Sequence, residues 1–173
     1  MPTVIAVTNQ KGGVGKTTSA VNIAFYLAKN GKKTLLIDFD PQGNATSGLG
    51  IDKQELETGT MSDVMLETKT LQEVILKTSV KGLFLAPATP YLANTEAELA
   101  GASRRFSRLK NAIGTTGETY DYVIIDSPPS LSLLTVNGLI AARYVLLPVQ
   151  AEFYALEGLG QLLETMKLVR KNM

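Results

Sequence analysis

The sequence predicts an α/β fold: a mostly parallel, twisted sheet with helices on both faces. Three observations predict it. Short, almost wholly apolar runs recur along the chain, at Val4-Ile5-Ala6-Val7, Thr34-Leu35-Leu36-Ile37 and Tyr122-Val123-Ile124-Ile125, as in parallel strands buried on both sides. Between them lie stretches with apolar residues at helical spacing, such as Ala20, Ile23, Ala24, Leu27 and Ala28. The first strand, first helix and second strand fall within about 35 residues, the span of a βαβ unit with a right-handed crossover.

Taken in order, Thr3 to Thr8 reads as a buried strand, followed by a glycine-rich loop and a helix that begins near Lys16 and runs to Lys29. Asn30-Gly31 ends that helix, glycine being suited to a left-handed cap. Thr34 to Ile37 is the second strand, stopped by Pro41 and Gly43 in a loop able to change shape with ligand. Short helices are expected at Met61–Met65 and Leu71–Leu76, with Thr58-Gly59-Thr60 as a connector. Leu83 to Ala86 is a short strand closed by Pro87 and Pro90. One helix is expected from Asn94 to Ile113, with Leu99, Ala102, Phe106, Leu109 and Ile113 on one face. Tyr122 to Asp126 is a strand, Ser127-Pro128-Pro129 a sharp turn, and Leu131 to Ala142 a helix. Tyr144 to Val149 is expected as another buried strand, and the last helix runs from Glu157 to about Lys171. No repeat, low-complexity tract or linker divides the chain, so residues 1–173 are expected to form a single domain.

Composition narrows the chemistry. The 173 residues are 45% hydrophobic, enough for one domain with a sizeable core. A net charge of +1 makes no global case for nucleic acid or membrane binding, so any such contact must come from a local patch. Cys, His and Trp are absent, which excludes disulfides, thiolate clusters, histidine catalysis and typical zinc sites. No signal-like segment precedes the first strand, and no apolar run approaches the ~18 residues of a membrane span. A cytoplasmic protein is the expectation.

The chemistry centres on Asn9-Gln10-Lys11-Gly12-Gly13-Val14-Gly15-Lys16-Thr17-Thr18, which stands between a strand and a helix. That is the context a phosphate-binding loop requires. Three glycines let the backbone curl so that successive N–H groups point at phosphate oxygens, and the helix adds its positive dipole end. Lys16 is placed to reach β- and γ-phosphates, and the Thr17 hydroxyl to ligate Mg²⁺. At ordinary Gly and Lys usage, a chance match of this kind in such a chain is on the order of a few in 100,000, so the loop is read as functional. It departs from the usual pattern twice: Gln10 stands where the first glycine normally falls, and an extra lysine stands at Lys11. Because the loop reverses direction between the two lysines, Lys11 is free to point out of its own site, towards a second nucleotide.

Two carboxylates share the rim of this loop. Asp40, in Asp38-Phe39-Asp40-Pro41-Gln42-Gly43-Asn44-Ala45-Thr46, follows the carboxyl end of the second strand, where ligands bind in open α/β sheets. Asp126 ends four apolar residues of strand, as a rigid arm delivering one carboxylate to a Mg²⁺ shell does. Read alone, each is equally a polar turn or an ordinary strand end. Arg104, Arg105, Arg108 and Lys110 form a basic cluster that either tracks phosphates or is a solvated helix face.

On these motifs the chain resembles the deviant Walker A ATPases of the ParA/MinD superfamily, and within it the ParA/Soj-type partition ATPases. Lys11 occupies the place of the family's signature lysine, Asp38 to Thr46 resembles its switch I, and Ser127-Pro128-Pro129 its switch II. Gln150-Ala151-Glu152-Phe153-Tyr154-Ala155-Leu156 also looks like ParA. The resemblance implies a P-loop NTPase fold and an ATPase with ATP and Mg²⁺ as cofactors. It implies nucleotide binding by Lys11, Gly12, Gly13, Val14, Gly15, Lys16, Thr17 and Thr18, and metal binding by Thr17, Asp40 and Asp126. The catalytic set would be Lys11, Lys16 and Asp40, with Lys11 reaching across an ATP-dependent homodimer and Asp40 positioning the hydrolytic water. It further implies non-specific DNA and a ParB-type stimulating protein as partners, nucleoid association, and a role in chromosome or plasmid partition. The resemblance runs from Pro2 to Met173, where the family continues with further strands and helices, so the family domain's C-terminal portion is expected to be missing. Two alternatives stand beside this reading. One is a MinD-like membrane-cycling ATPase, for which Leu156 to Met173 offers only a modest basic end. The other is a non-hydrolysing nucleotide-binding fragment.

Overall fold

The computed structural model describes residues 1–116 and 120–151, together with residues 160, 163, 164, 166 and 167. The elements are β1 (Thr3–Val7), α1 (Lys16–Lys29), β2 (Thr34–Asp38), α2 (Asn44–Gly48), α3 (Met61–Met65), α4 (Leu71–Val74) and β3 (Leu76–Lys77). They continue as β4 (Leu83–Ala86), α5 (Tyr91–Leu99), α6 (Arg108–Thr116), β5 (Tyr122–Asp126), α7 (Leu133–Ala141) and β6 (Tyr144–Leu146). The strands form one six-stranded sheet in the order β3-β4-β2-β5-β1-β6. Every pairing is parallel except β3 against β4.

The central strands are buried on both faces, which explains their unbroken apolar runs. On one face Leu35, Ile37, Val123 and Ile125 pack with residues of α3 to α7, among them Met61, Leu71, Leu92, Leu109 and Leu134. On the other, Leu36, Leu85 and Ile124 meet Ala20, Ala24 and Ala28, the small residues that let α1 lie close to the sheet. Leu36 is fully buried, and Leu36→Ala would cost about 2–5 kcal/mol.

Four expectations need correction. The helix expected from Asn94 to Ile113 is two helices, α5 and α6, set apart by residues 100–107. Arg104 adopts a left-handed backbone, φ +54°, and the Arg105 guanidinium folds back onto the Ala100 carbonyl. Asn137 of α7, fully buried, accepts from the Leu109 N–H at 3.3 Å and donates to the Arg105 carbonyl at 2.7 Å. A distant side chain thus takes the backbone groups that a continuous helix would have paired. Phe106, expected on the apolar face, is exposed as a result.

Residues Leu71 to Leu76, expected as one helix, divide into α4 and the edge strand β3. The strand expected as buried over Tyr144–Val149 is shorter and lies at the sheet edge, pairing with β1 alone among the described residues. Tyr144, Leu146 and Val149 are accordingly exposed. α2 lies within the segment expected to be loop. The helix expected from Glu157 lies largely outside the described residues. Among the described residues no helix is long and apolar enough to cross a membrane.

Candidate functional site

The site forms where β1, β5 and β2 end side by side. Val7 and Asp38 both stand opposite Asp126 in the parallel register, which puts the two carboxylates on neighbouring strands at the rim. From Val7 the chain enters the glycine loop. Gly13 and Gly15 take φ of +74° and +86°, a region that excludes side chains at low cost only for glycine. Gly15 is the N-cap of α1 and supplies no capping side chain, so the first-turn N–H groups are left for an anion. The loop is tethered on both sides: the Asn9 amide donates to the Pro148 carbonyl at 2.8 Å and its oxygen accepts from the Lys11 N–H at 3.0 Å. The Gln150 amide donates to the Gly13 carbonyl at 3.4 Å.

Lys16 is buried, and its ammonium donates to the Lys11 carbonyl at 2.9 Å. Burial lowers its pKa, while the charges of Asp126 and Asp40 pull it back up. A partly desolvated cation backed by two carboxylates is held at the mouth of the loop.

The carboxylates differ in their surroundings. Asp126 is fully buried and neither oxygen has a hydrogen-bond partner. Burial pushes its carboxyl up to about 7, with the Asp38 and Asp40 charges adding to the rise. The nearby Thr17 hydroxyl, outside hydrogen-bond geometry, and the Lys16 charge offset part of it. Asp38 is equally buried but satisfied: one oxygen accepts from both the N–H and the hydroxyl of Thr46 at 2.7 Å. Its other oxygen accepts from the Asp40 N–H at 3.3 Å. Burial pushes its carboxyl up to about 6 despite these bonds.

Asp40 lies in the turn after β2, where its oxygen accepts from the Gln42 N–H at 2.9 Å. Gly43, at φ +63°, caps α2; a Cβ there would lie 2.8 Å from the Ala88 carbonyl oxygen. The chain closes against this wall through glycine and through Thr46, whose hydroxyl also accepts from the Ala88 N–H at 3.0 Å.

Together these segments enclose a cleft of about 300 Å³. The loop and first turn of α1 make one wall, Asp40, Gln42 and Asn44 the other, and Pro129 the lip. Of the residues expected in the site, Gly12, Gly13, Gly15, Lys16, Thr17, Thr18 and Asp40 line it. Val14 and Asp126 are buried and are not part of its lining. Lys11 is exposed and outside the lining. Sequence reading gave no role to Asp38, Thr46, Gln42 or Asn44; the Asp-x-Asp spacing at a strand end was the available signal for Asp38.

The donor set suits a hard cation carried with a phosphate ligand. The Asp126 oxygens are orphaned and a hydroxyl, Thr17, stands beside them. Among the described residues no three carboxylates converge into an all-protein cage. That fits Mg²⁺, which takes one or two carboxylates and completes its shell from phosphate and water.

Known proteins resemble this chain over its whole length. A family profile described as AAA domain matches residues 2–173. The sporulation initiation inhibitor protein Soj of Bacillus subtilis is 51% identical over the whole chain, which spans 68% of that protein. The chromosome partitioning protein ParA of Myxococcus xanthus is 51% identical over 98% of the chain and 60% of its own length. The structure of cobyrinic acid a,c-diamide synthase from Mycobacterium smegmatis, with bound ATP analog and magnesium, superposes with a TM-score of 0.94. It is 41% identical over 99% of this chain and 69% of its own. The chain therefore spans roughly two thirds of the length of these relatives. Half of its residues are shared with Soj and ParA across its full extent, and on that basis the chain belongs to the ParA/Soj family.

Proposed function

We propose that the chain binds ATP with Mg²⁺ and hydrolyses it to ADP and phosphate, as a nucleotide-dependent dimer switch in DNA partition. The observation that carries this reading is the buried Lys16 at the loop mouth, facing Asp40 and the unpartnered Asp126. The loop N–H groups from Gly12 to Thr18 and the end of α1 would receive the phosphates. Thr17 and Asp126 would hold Mg²⁺, directly or through water, with Asp40 near its shell. The ion supplies charge neutralisation on the β- and γ-phosphate oxygens. Lys16 offsets the same negative charge, and Asp40 orients a water in line with the bond to the γ-phosphorus. The water oxygen bonds to phosphorus as the bond to the bridging oxygen breaks, its proton passes to a phosphate oxygen, and ADP and phosphate are left.

The exposed position of Lys11, outside the cleft lining, supports a role on a second subunit's nucleotide. DNA and a ParB-type stimulating protein belong to the same reading.

Two variants test it. Lys16→Ala should abolish ATP binding in calorimetry; unchanged affinity would end the phosphate-loop reading. Lys11→Ala should keep binding but lose ATP-dependent dimerisation and turnover. Mixed with Asp40→Ala chains it should regain activity, because one site of each mixed dimer has its own Asp40 and the partner's Lys11. If mixed dimers form and stay inactive, Lys11 does not act in trans.

A further inference from the structure

The turn that carries Asp40 is closed by its own backbone and held from outside by a lysine. The Gly43 N–H donates to the Asp40 carbonyl at 2.9 Å, and the Gln42 N–H donates to the Asp40 carboxylate, also at 2.9 Å. Gln42 lines the cleft, and its carbonyl is left for a donor outside the turn. That donor is the Lys53 ammonium, at 2.5 Å. The stem of the same side chain lies over Gly43: a Cβ built there would stand 3.1 Å from the Lys53 Cδ. Among the described residues Lys53 is in no ion pair, so no carboxylate competes for its ammonium.

A helix end brings Lys53 to this place. α2 finishes in a Schellman motif: Gly50, at φ +80°, donates its N–H to the Ser47 carbonyl at 3.0 Å, and Ile51 donates to the Thr46 carbonyl at 3.2 Å. The reversal returns the chain along α2 towards the turn that precedes it. Leu49 and Ile51 pack on the core between α1 and the sheet, and the Asp52 carboxylate accepts from the Gln54 N–H at 2.9 Å. The backbone on both sides of Lys53 is therefore fixed, and the half-buried side chain is aimed at Gln42 from a firm root.

We infer that Lys53 is a positioning residue for ATP hydrolysis: its ammonium clasps the turn that presents Asp40 to the cleft. The inference rests on the hydrolytic role proposed for Asp40. The ammonium polarises the peptide between Gln42 and Gly43, and the N–H of that peptide closes the turn on the Asp40 carbonyl. A charged donor on a peptide's oxygen strengthens the hydrogen bond made by its N–H. Pro41 offers no N–H to the turn, so few other bonds share the load. Nucleotide affinity is set elsewhere, by the glycine loop, Lys16 and the Asp126 side of the site. Loosening the clasp therefore acts on the in-line geometry of the attacking water and leaves binding in place.

The test compares Lys53→Met, which keeps the stem and removes the charge, with Lys53→Arg, which keeps a charged donor. Lys53→Met should lower kcat for Mg²⁺-ATP about five- to tenfold while the calorimetric Kd for ATP stays within about twofold of the parent. Lys53→Arg should recover most of the rate. In the nucleotide-free chain, amide hydrogen exchange followed by NMR reads the clasp without any turnover. The Gln42 and Gly43 amides should exchange about tenfold faster in Lys53→Met and close to the parental rate in Lys53→Arg. Parental kcat in Lys53→Met, equal losses in both variants, or a Kd that weakens in step with kcat would each overturn the positioning role. Unchanged exchange at Gln42 and Gly43 would overturn the clasp itself. A parent chain that binds ATP without turning it over would instead end the hydrolytic reading of Asp40, and the catalytic role of Lys53 would fall with it.

Discussion

Asp38 and Asp126 end neighbouring strands in direct register, both fully buried, yet one is wholly hydrogen-bonded and the other bare. Asp38 accepts from two groups of Thr46 and from the Asp40 N–H, which joins the end of β2 to the wall of the cleft. Asp126 receives no hydrogen bond, although the same burial acts on it. The difference shows in acidity: hydrogen bonds hold Asp38 near 6, while Asp126 is pushed up to about 7. The first carboxylate builds the site and the second stays open in it. Native structures rarely leave a buried carboxylate unpartnered, and a bound cation is the ordinary reason.

The comparison breaks first under pH. Both carboxyls have folded pKa values raised above the ordinary 3.8, so the folded chain binds more protons than the unfolded chain between about pH 4 and about pH 7. Their stability contribution is full below about pH 4 and is lost as pH rises through 6 for Asp38 and 7 for Asp126. Urea denaturation of the nucleotide-free chain should show that decline, on the order of a few kcal/mol in all. Asp126→Asn should flatten its upper part. Parallel profiles for parent and variant would show that Asp126 does not titrate as described.

Substitution sharpens the contrast next. Asp38→Ala orphans the Thr46 N–H and should cost about 2–3 kcal/mol. Asp126→Asn breaks no hydrogen bond and should leave the nucleotide-free chain as stable as the parent or more so near neutral pH, while removing Mg²⁺-dependent nucleotide binding. Denaturation paired with calorimetry checks both. Equal destabilisation by the two variants would mean that Asp126 is merely structural.

The same contrast explains what could be read in advance. The strands at β1, β2, β4 and β5 were legible because both faces are buried, so the apolar run itself carries the signal. Loop residues Gly12 to Thr18 were legible because phosphate binding needs glycines, a lysine and a hydroxyl at fixed spacing in consecutive sequence. What was not legible depends on distant partners. The break between α5 and α6 needs Asn137, and the role of Asp38 needs Thr46 to fold back over it. β6 has the composition of a buried strand, and only its place at the edge exposes it.

The smallest effect tests whether the Asp38 side of the comparison is a unit. Thr46→Val keeps the shape and removes the hydroxyl that donates to Asp38 and accepts from the Ala88 N–H. It should cost about 1–2 kcal/mol. Because that hydroxyl favours the charged carboxylate, its removal should move the Asp38 titration upward, and the cost should be larger above about pH 6 than at about pH 5. In an Asp38→Ala background the same substitution should cost less, since only the Ala88 contact is left to lose. A double-mutant cycle measures the shared part. Costs that simply add would place the hydroxyl's contribution at Ala88 alone, and Asp38 would then hold the wall through the Thr46 and Asp40 backbone only.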